Sequence, residues 1–365
     1  MSVTSSQLLG EGAYAKVYDK VDYAVKITTI EDMEDLISVV REQHILRMHL
    51  PHTVPYRTCY YKWACMHITM EKANCNLSQW IVKKDLDFTV EEISRQILKG
   101  IDALHDYHVT HRDLKPDNIL LKGNAVWLCD FGLSRHFIDS ECTNATGYIV
   151  TRQYRAPEIW EEEEYTNKVD MWSIGCIIHK LIHGDVPGQT LDEIKERVNA
   201  LPNDSTMDIL VRGLLELDAS DRWDAKRCLA FLGVEAEKPN RLDRVRQSWT
   251  RNSIREKWFY TFSRRYPTKH RILAYALMLF DSCDQSAENM CCSMAISAIL
   301  FDTRPSNLLT FAMKNIKMVD ICEFMTNVCD GRVSEWEDFE GTFEEYLQYV
   351  EIGPVPGSKK RKLFC

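Results

Sequence analysis

No stretch of the 365 residues holds about 18 consecutive apolar positions. The richest, ALMLF and AISAILF, are too short to span a bilayer, so no membrane association is expected. Positive charge is not in excess either. There are 45 Lys and Arg against 54 Asp and Glu, a formal net charge of −9. That argues against a broadly basic surface and direct nucleic-acid binding, leaving open only a local patch. The opening MSVTSSQLLG lacks an apolar core segment, so no secretory start is expected. The 13 cysteines contain no Cys-x-x-Cys pair, and the adjacent Cys291 and Cys292 sit in an apolar helical pattern that reads as core rather than metal site. An odd cysteine count without tight pairing points to reduced thiols in the nucleus or cytoplasm. What remains is an ordinary globular composition, 45% hydrophobic and 27% charged, in a chain long enough for two or three domains.

The first part alternates short β-rich segments, VYDKV, YAVKIT and ACMHITM, with a helical stretch near Met33 to Met48. From about Val90 the pattern turns mainly helical, with Glu91 to Tyr107 at helix spacing. The expectation is a small β-rich lobe over residues 1–73 and a larger helical lobe over 74–235. A charged linker follows at 236–253, then an all-helical domain at 254–352 and a flexible basic tail at 353–365. Within the helical domain, Lys269 to Cys283 reads as one helix, and Ser286 caps a second reaching Phe301. Asp302 to Asn307, with Pro305, breaks the pattern; Leu308 to Ile316, Val319 to Cys329 and Phe339 to Val350 read as further helices. Lys359 to Lys362 is either a solvated terminus or a nuclear-import signal.

Chemistry concentrates in the first two lobes. In GEGAYAKVY, Gly10 and Gly12 would let backbone amides approach phosphates, although the third expected glycine is Ala15 and a plain tight hairpin fits too. Lys26 lies on an apolar strand, where an ammonium needs a partner. Glu42, on the helical stretch that carries Ile37, Val40 and Leu46, is a good one. HRDLKPDNIL at His111 to Leu120 and Asp130-Phe131-Gly132 are the strongest signals.

Together with Ala156-Pro157-Glu158, DMWSIG from Asp170 and Arg222, these motifs resemble the eukaryotic protein-kinase fold over about residues 5–235. The fold class is then α+β and bilobal, with a separate all-α C-terminal domain. The resemblance implies ATP and Mg2+ as cofactors, with Asn118 and Asp130 as hard oxygen ligands for the ion. It implies that Asp113 accepts the substrate hydroxyl proton and Lys115 contacts the moving phosphoryl group, as in serine/threonine kinases. Lys26 and Glu42 complete the catalytic set. The resemblance further implies that Gly10, Gly12, Val17, Ala24, Glu71 and Ala73 line the nucleotide, with Met70 at the back pocket and Leu46, His111 and Phe131 stacked between the lobes.

The segment TGYIVTRQYRAPE resembles mitogen-activated and cyclin-dependent kinases. That implies activating phosphorylation at Thr146 and Tyr148 by an upstream kinase, with Arg41, Arg112 and Arg135 around the phosphothreonine and Thr151 fixing the loop near Asp113. It also implies protein substrates with proline after the modified Ser or Thr, through Arg152 and Arg155. The chain departs from that group in the short turn between Val17 and Lys26, in lacking a long insert between Gly184 and Leu215, and in LISVVREQ before and around Glu42. HRILAYALMLFDSCD and MCCSMAISAILFDTRP weakly resemble two cyclin-box helices. A cyclin-like intramolecular activator, another helical docking or regulatory domain, and a stabilising extension all fit this region. The alternative to an active kinase is a pseudokinase-like scaffold whose helical domain recruits partners.

Overall fold

A computed structural model describes residues 7–11, 15–136, 152–160, 165–234, 276, 287–301, 307–314 and 316–331. Five strands form one sheet in the order β1-β2-β3-β5-β4: β1 (Leu8–Glu11), β2 (Ala15–Asp19), β3 (Ala24–Thr29), β4 (Tyr56–Lys62) and β5 (Cys65–Met70). Antiparallel pairing sets Val17 opposite Lys26, and Ala24 and Val25 are buried beside it.

Helix α1 (Met33–Arg47) follows β3 and is nucleated by a capping box. Asp32 accepts from the amides of Glu34 and Asp35, while the Asp35 carboxylate accepts from the amide of Asp32. From Val39 to Arg47 every residue of α1 is buried, including Arg41, Glu42, Gln43, His44 and Arg47, whereas Ile37 is only half-buried. The apolar stripe read from Ile37, Val40 and Leu46 therefore understates the helix, because an element sealed on several sides has no solvent face to be polar.

The larger lobe begins with β6 (Cys75–Asn76), α2 (Leu77–Lys83) and α3 (Val90–Asp106). A Thr89–Glu92 capping box starts α3. Ile93, Ile97, Ile101 and Leu104, at helical spacing, are fully buried. Next come β7 (Val109–Thr110), a single turn at Pro116–Asn118, and the β8 (Ile119–Lys122) and β9 (Ala125–Leu128) hairpin beside β6. β10 (Arg135–His136) pairs back onto β7. Then follow α4 (Pro157–Trp160), α5 (Lys168–His183), α6 (Leu191–Asn199), α7 (Thr206–Leu214) and α8 (Ala225–Phe231). This segment is not purely helical, since it also contains five short strands, β6 to β10.

The chain divides into two units, residues 1–58 with 67–240, and residues 59–66 with 241–365. In the second unit, α9 (Ala287–Phe301) packs on α10 (Asn307–Met313) and α11 (Met318–Gly331). Cys292 to Leu300 are all buried, so α9 is a central helix. The Tyr61 amide donates to Thr326 Oγ1 on α11 at 2.9 Å, so residues 59–66 are part of this unit's packing. Of the helix expected over Lys269 to Cys283 only Ala276 is described. Ser286, the Asp302 to Ser306 break, the Phe339 to Val350 helix, the 236–253 linker and the 353–365 tail lie outside the described residues. No helix among the described residues is long and apolar enough to cross a membrane, and no group of three or more His, Cys, Asp or Glu among them could hold a metal ion.

The β4–β5 turn places two L-residues in the left-handed region, Trp63 at φ 53° and Ala64 at φ 58°. Such residues cost roughly 1–2 kcal/mol each, and two-residue hairpin turns favour Asn-Gly for that reason. Trp63 is 80% exposed, with the Lys62 ammonium 3.9 Å from its ring centroid. Ala64→Gly removes one strained Cβ and leaves that stacking intact. It should raise stability by about 1 kcal/mol, read as a higher melting temperature of the full chain. A lower melting temperature would show the turn to be unstrained.

Candidate active site

Three elements converge on Lys26. Its ammonium donates to Glu42 Oε1 at 2.8 Å and Oε2 at 2.7 Å, and to Asp130 Oδ1 at 2.8 Å. Burial works against the lysine charge, but the two carboxylates outweigh it and hold its pKa above the ordinary value. Lys26 holds the Asp130 carboxyl below its usual range. Burial pushes the Glu42 carboxyl up, with Lys26 pulling the other way. The cluster thus fixes strand β3, helix α1 and the loop after β9 in one arrangement, with a charged ammonium at its centre.

A second cluster surrounds Asp113. Its Oδ2 accepts from Lys115 Nζ at 2.7 Å and from Asn118 Nδ2 at 3.0 Å, and its backbone carbonyl accepts from the same amide at 2.8 Å. Asp113 Oδ1 is buried and has no hydrogen-bond partner. An unpartnered buried carboxylate oxygen is costly and suits a donor supplied from outside the chain, such as a hydroxyl.

The loop that carries Asp113 is held from beneath. Asp170 at the start of α5 is fully buried and accepts from the amides of His111 and Arg112, both at 2.8 Å, and contacts His105 Nε2 at 2.9 Å. The amide bond fixes Arg112 at φ 71°, a left-handed conformation that costs of order 1–3 kcal/mol. Asp130 sits at φ 66° for a similar reason, with its carboxylate tied to Lys26. Downstream, the His111 ring lies 5.1 Å from that of Phe131 and its Nε2 is 3.0 Å from the Cys129 carbonyl. Leu46 is buried on α1.

The donor set fits a hard divalent cation. Asn118 spends its NH2 on Asp113, which leaves its amide oxygen for a ligand. Asp130 has one oxygen on Lys26, and its side chain is 46% exposed. Of the residues expected to line a nucleotide, Val17 and Ala24 lie on β2 and β3. A Cβ at Gly10 would meet no atom within 4 Å, so packing inside the protein does not require a glycine there. The Glu71 amide is committed to the Pro55 carbonyl at 2.8 Å. Glu71 can therefore offer a ligand its carbonyl but not its N–H. Its side chain accepts from Lys122 and Arg57, and these cations, Lys122 the more strongly, hold the Glu71 carboxyl below its usual range. Met70 is buried at the end of β5, and Ala73 follows in the connection to β6.

The arginine trio is only partly on view. Arg41 is buried on α1, Arg135 is in β10, and Arg112 Nη1 donates to the Leu133 carbonyl at 3.2 Å with its guanidinium 5.5 Å from the Tyr165 ring centroid. Thr146, Tyr148, Thr151 and Gly12 lie outside the described residues.

Two features had no reading as contacts in the sequence. One is the Asp170 clamp. The other is the bidentate pair of Arg222 with Glu158, at 2.7 and 3.1 Å, beneath the segment that ends at Glu158. Both residues stand in motifs, but their partners are 58 to 64 positions away.

The protein kinase domain family model matches residues 3–231. The cyclin-dependent kinase 4 homolog of Caenorhabditis elegans is 34% identical over 197 residues, 48% of this chain and 48% of that protein. Cell division control protein 2 homolog 3 of Trypanosoma brucei brucei is 36% identical over 193 residues, 49% of this chain and 62% of that protein. Extracellular signal-regulated kinase 1 of Candida albicans (strain WO-1) is 32% identical over 196 residues, 49% of this chain and 47% of that protein. The chain spans about half the length of such curated relatives.

Proposed function

The chain belongs to the protein kinase domain family, and on that premise we propose that it transfers the γ-phosphoryl group of ATP to Ser or Thr hydroxyls of proteins. The observation that carries the reading is the orphaned Asp113 Oδ1 beside Lys115 and Asn118. Asp113 orients the incoming hydroxyl and takes its proton as the oxygen attacks. Lys115 offsets negative charge on the moving group, and Lys26 steadies the α- and β-phosphates while Glu42 steadies Lys26. Family membership implies ATP and Mg2+; Asp130 and Asn118 would hold the ion, which would supply charge neutralisation during the transfer.

Three refinements belong to the same proposal. Substrates carry proline after the modified residue, read through Arg152 and Arg155. Thr146 and Tyr148 are phosphorylated by an upstream kinase, and Arg41, Arg112, Arg135 and Thr151 order the segment around the phosphothreonine. The C-terminal helices, as a cyclin-like activator, regulate the kinase in cis.

Paired Ser-Pro and Ser-Ala peptides test the reading on the full-length protein. Turnover with Mg2+ and ATP, at least tenfold faster on Ser-Pro, is expected on the scale of one lost contact set. Equal turnover on both would sink the proline preference, and no turnover on either, with Thr146 phosphorylated, would sink the enzyme reading. Comparing the full chain with residues 1–235, both checked for folding, separates cis activation from inhibition or docking.

A further inference from the structure

A second contact joins α1 to the metal-side loop, and it involves a residue outside every motif. A Cβ built on Gly132 would lie 2.2 Å from Ser38 Oγ, 3.5 Å from Ser38 Cβ and 3.7 Å from the Ser38 carbonyl oxygen. The first distance is impossible for a real atom pair. The other two are ordinary van der Waals contacts. Gly132 is not in the left-handed region, so its backbone conformation does not demand glycine. One hydroxyl oxygen excludes a side chain there.

Ser38 and Glu42 are four residues apart and so share one face of α1. Through Lys26, Glu42 reaches Asp130, while Ser38 abuts Gly132. A single helix face therefore meets the loop at two points two residues apart. Sliding or rolling α1 toward the loop would drive Ser38 into Gly132. Moving it away would stretch the Glu42–Lys26–Asp130 chain.

We propose that Ser38 is a positioning residue of the phosphoryl-transfer site, whose hydroxyl seats Gly132 and thereby sets the stand-off between α1 and Asp130. The glycine of Asp130-Phe131-Gly132 is needed in this chain because of Ser38. The functional consequence rests on the kinase reading above; the steric relation does not. A helical serine can turn its hydroxyl to another rotamer, and free rotation would make a methyl at position 132 harmless, so the relation is directly exposed to test.

The experiment is a double-mutant cycle on the full-length protein: wild type, Ser38→Ala, Gly132→Ala and the pair. Three quantities are read: kcat for peptide phosphorylation, the Mg2+ concentration for its half-maximal rate, and the melting temperature without ligand. In the wild-type background Gly132→Ala should cost about 100-fold in kcat, with a raised Mg2+ requirement, because the loop bearing Asp130 is displaced. In the Ser38→Ala background, where the nearest remaining atom is at 3.5 Å, the same substitution should cost less than about threefold and restore the Mg2+ requirement. An equal loss in both backgrounds, or a harmless Gly132→Ala alone, overturns the proposal. Should wild type transfer no phosphate, the kinase reading falls. The seat is then judged on melting temperature alone, where Gly132→Ala should be destabilising with Ser38 and close to neutral without its hydroxyl. Equal shifts in both backgrounds would overturn it.

Discussion

Asp113→Asn should lower kcat for phosphate transfer about 1000-fold while leaving the KM for ATP within about threefold, the range for losing one positioned general base. The geometry separates the two effects. Lys26, Asp130 and the strands β2 and β3, to which the proposal assigns the nucleotide, are untouched by the change. Asp113 instead presents a buried Oδ1 with no partner, while its Oδ2 accepts from Lys115 at 2.7 Å. An asparagine can keep the bond to the Asn118 amide only by offering its own carbonyl oxygen there, which leaves an NH2 where a proton acceptor stood. The amide group also sheds the negative charge that Lys115 neutralises. Initial rates on a Ser-Pro peptide, with melting curves to show an unchanged fold, measure this. A variant that keeps a tenth or more of the wild-type rate would remove Asp113 from the role of base.

The largest effect on stability should come from Arg222 and Glu158. The Arg222 side chain is fully buried, and it also donates to the carbonyls of Lys168 at 2.9 Å, Glu216 at 2.9 Å and Leu217 at 3.3 Å, with its guanidinium 5.1 Å from the Trp172 ring centroid. Breaking a buried pair by removing one partner costs about 3–5 kcal/mol, because a charge is left uncompensated. Glu158→Gln should therefore lower the melting temperature by about 6–20 °C for a domain of this size. Arg222→Met should cost at least as much, since it also orphans three carbonyls. The double variant should not recover. Buried pairs can often be exchanged for apolar residues at little cost, but here the carbonyls of three loop and helix ends depend on the guanidinium. A double variant as stable as wild type would show that only the charge pair matters.

How much of this was legible follows from how far apart the participants lie. In His111 to Leu120 the carboxylate of Asp113, the ammonium of Lys115 and the amide of Asn118 fall within one loop and one turn, so residue types in order already define a bonded cluster. The family match over residues 3–231 has the same origin in contiguous motifs. The helix over Glu91 to Tyr107 was legible from its spacing, whereas its start is fixed by the Thr89–Glu92 capping box. Strand β4 was passed over, because YRTCYYK does not alternate cleanly and ends in a strained turn. The helix near Met33 to Met48 was legible from Ile37, Val40 and Leu46, but its burial from Val39 to Arg47, polar residues included, was not.

The sequence by itself determined the family, the residue types available for phosphoryl transfer, and a helical segment following the kinase region. Each of these rests on local order or local periodicity, which the chain carries wherever it is placed. Only the tertiary structure decided that Asp170 holds the loop of Asp113, that Arg222 finds Glu158, that Tyr61 is bonded to Thr326, and that a serine on α1 stands against Gly132. Those relations join residues tens to hundreds of positions apart. They depend on backbone paths and on single-atom clearances, and no spacing rule in one sequence encodes a distance of that kind.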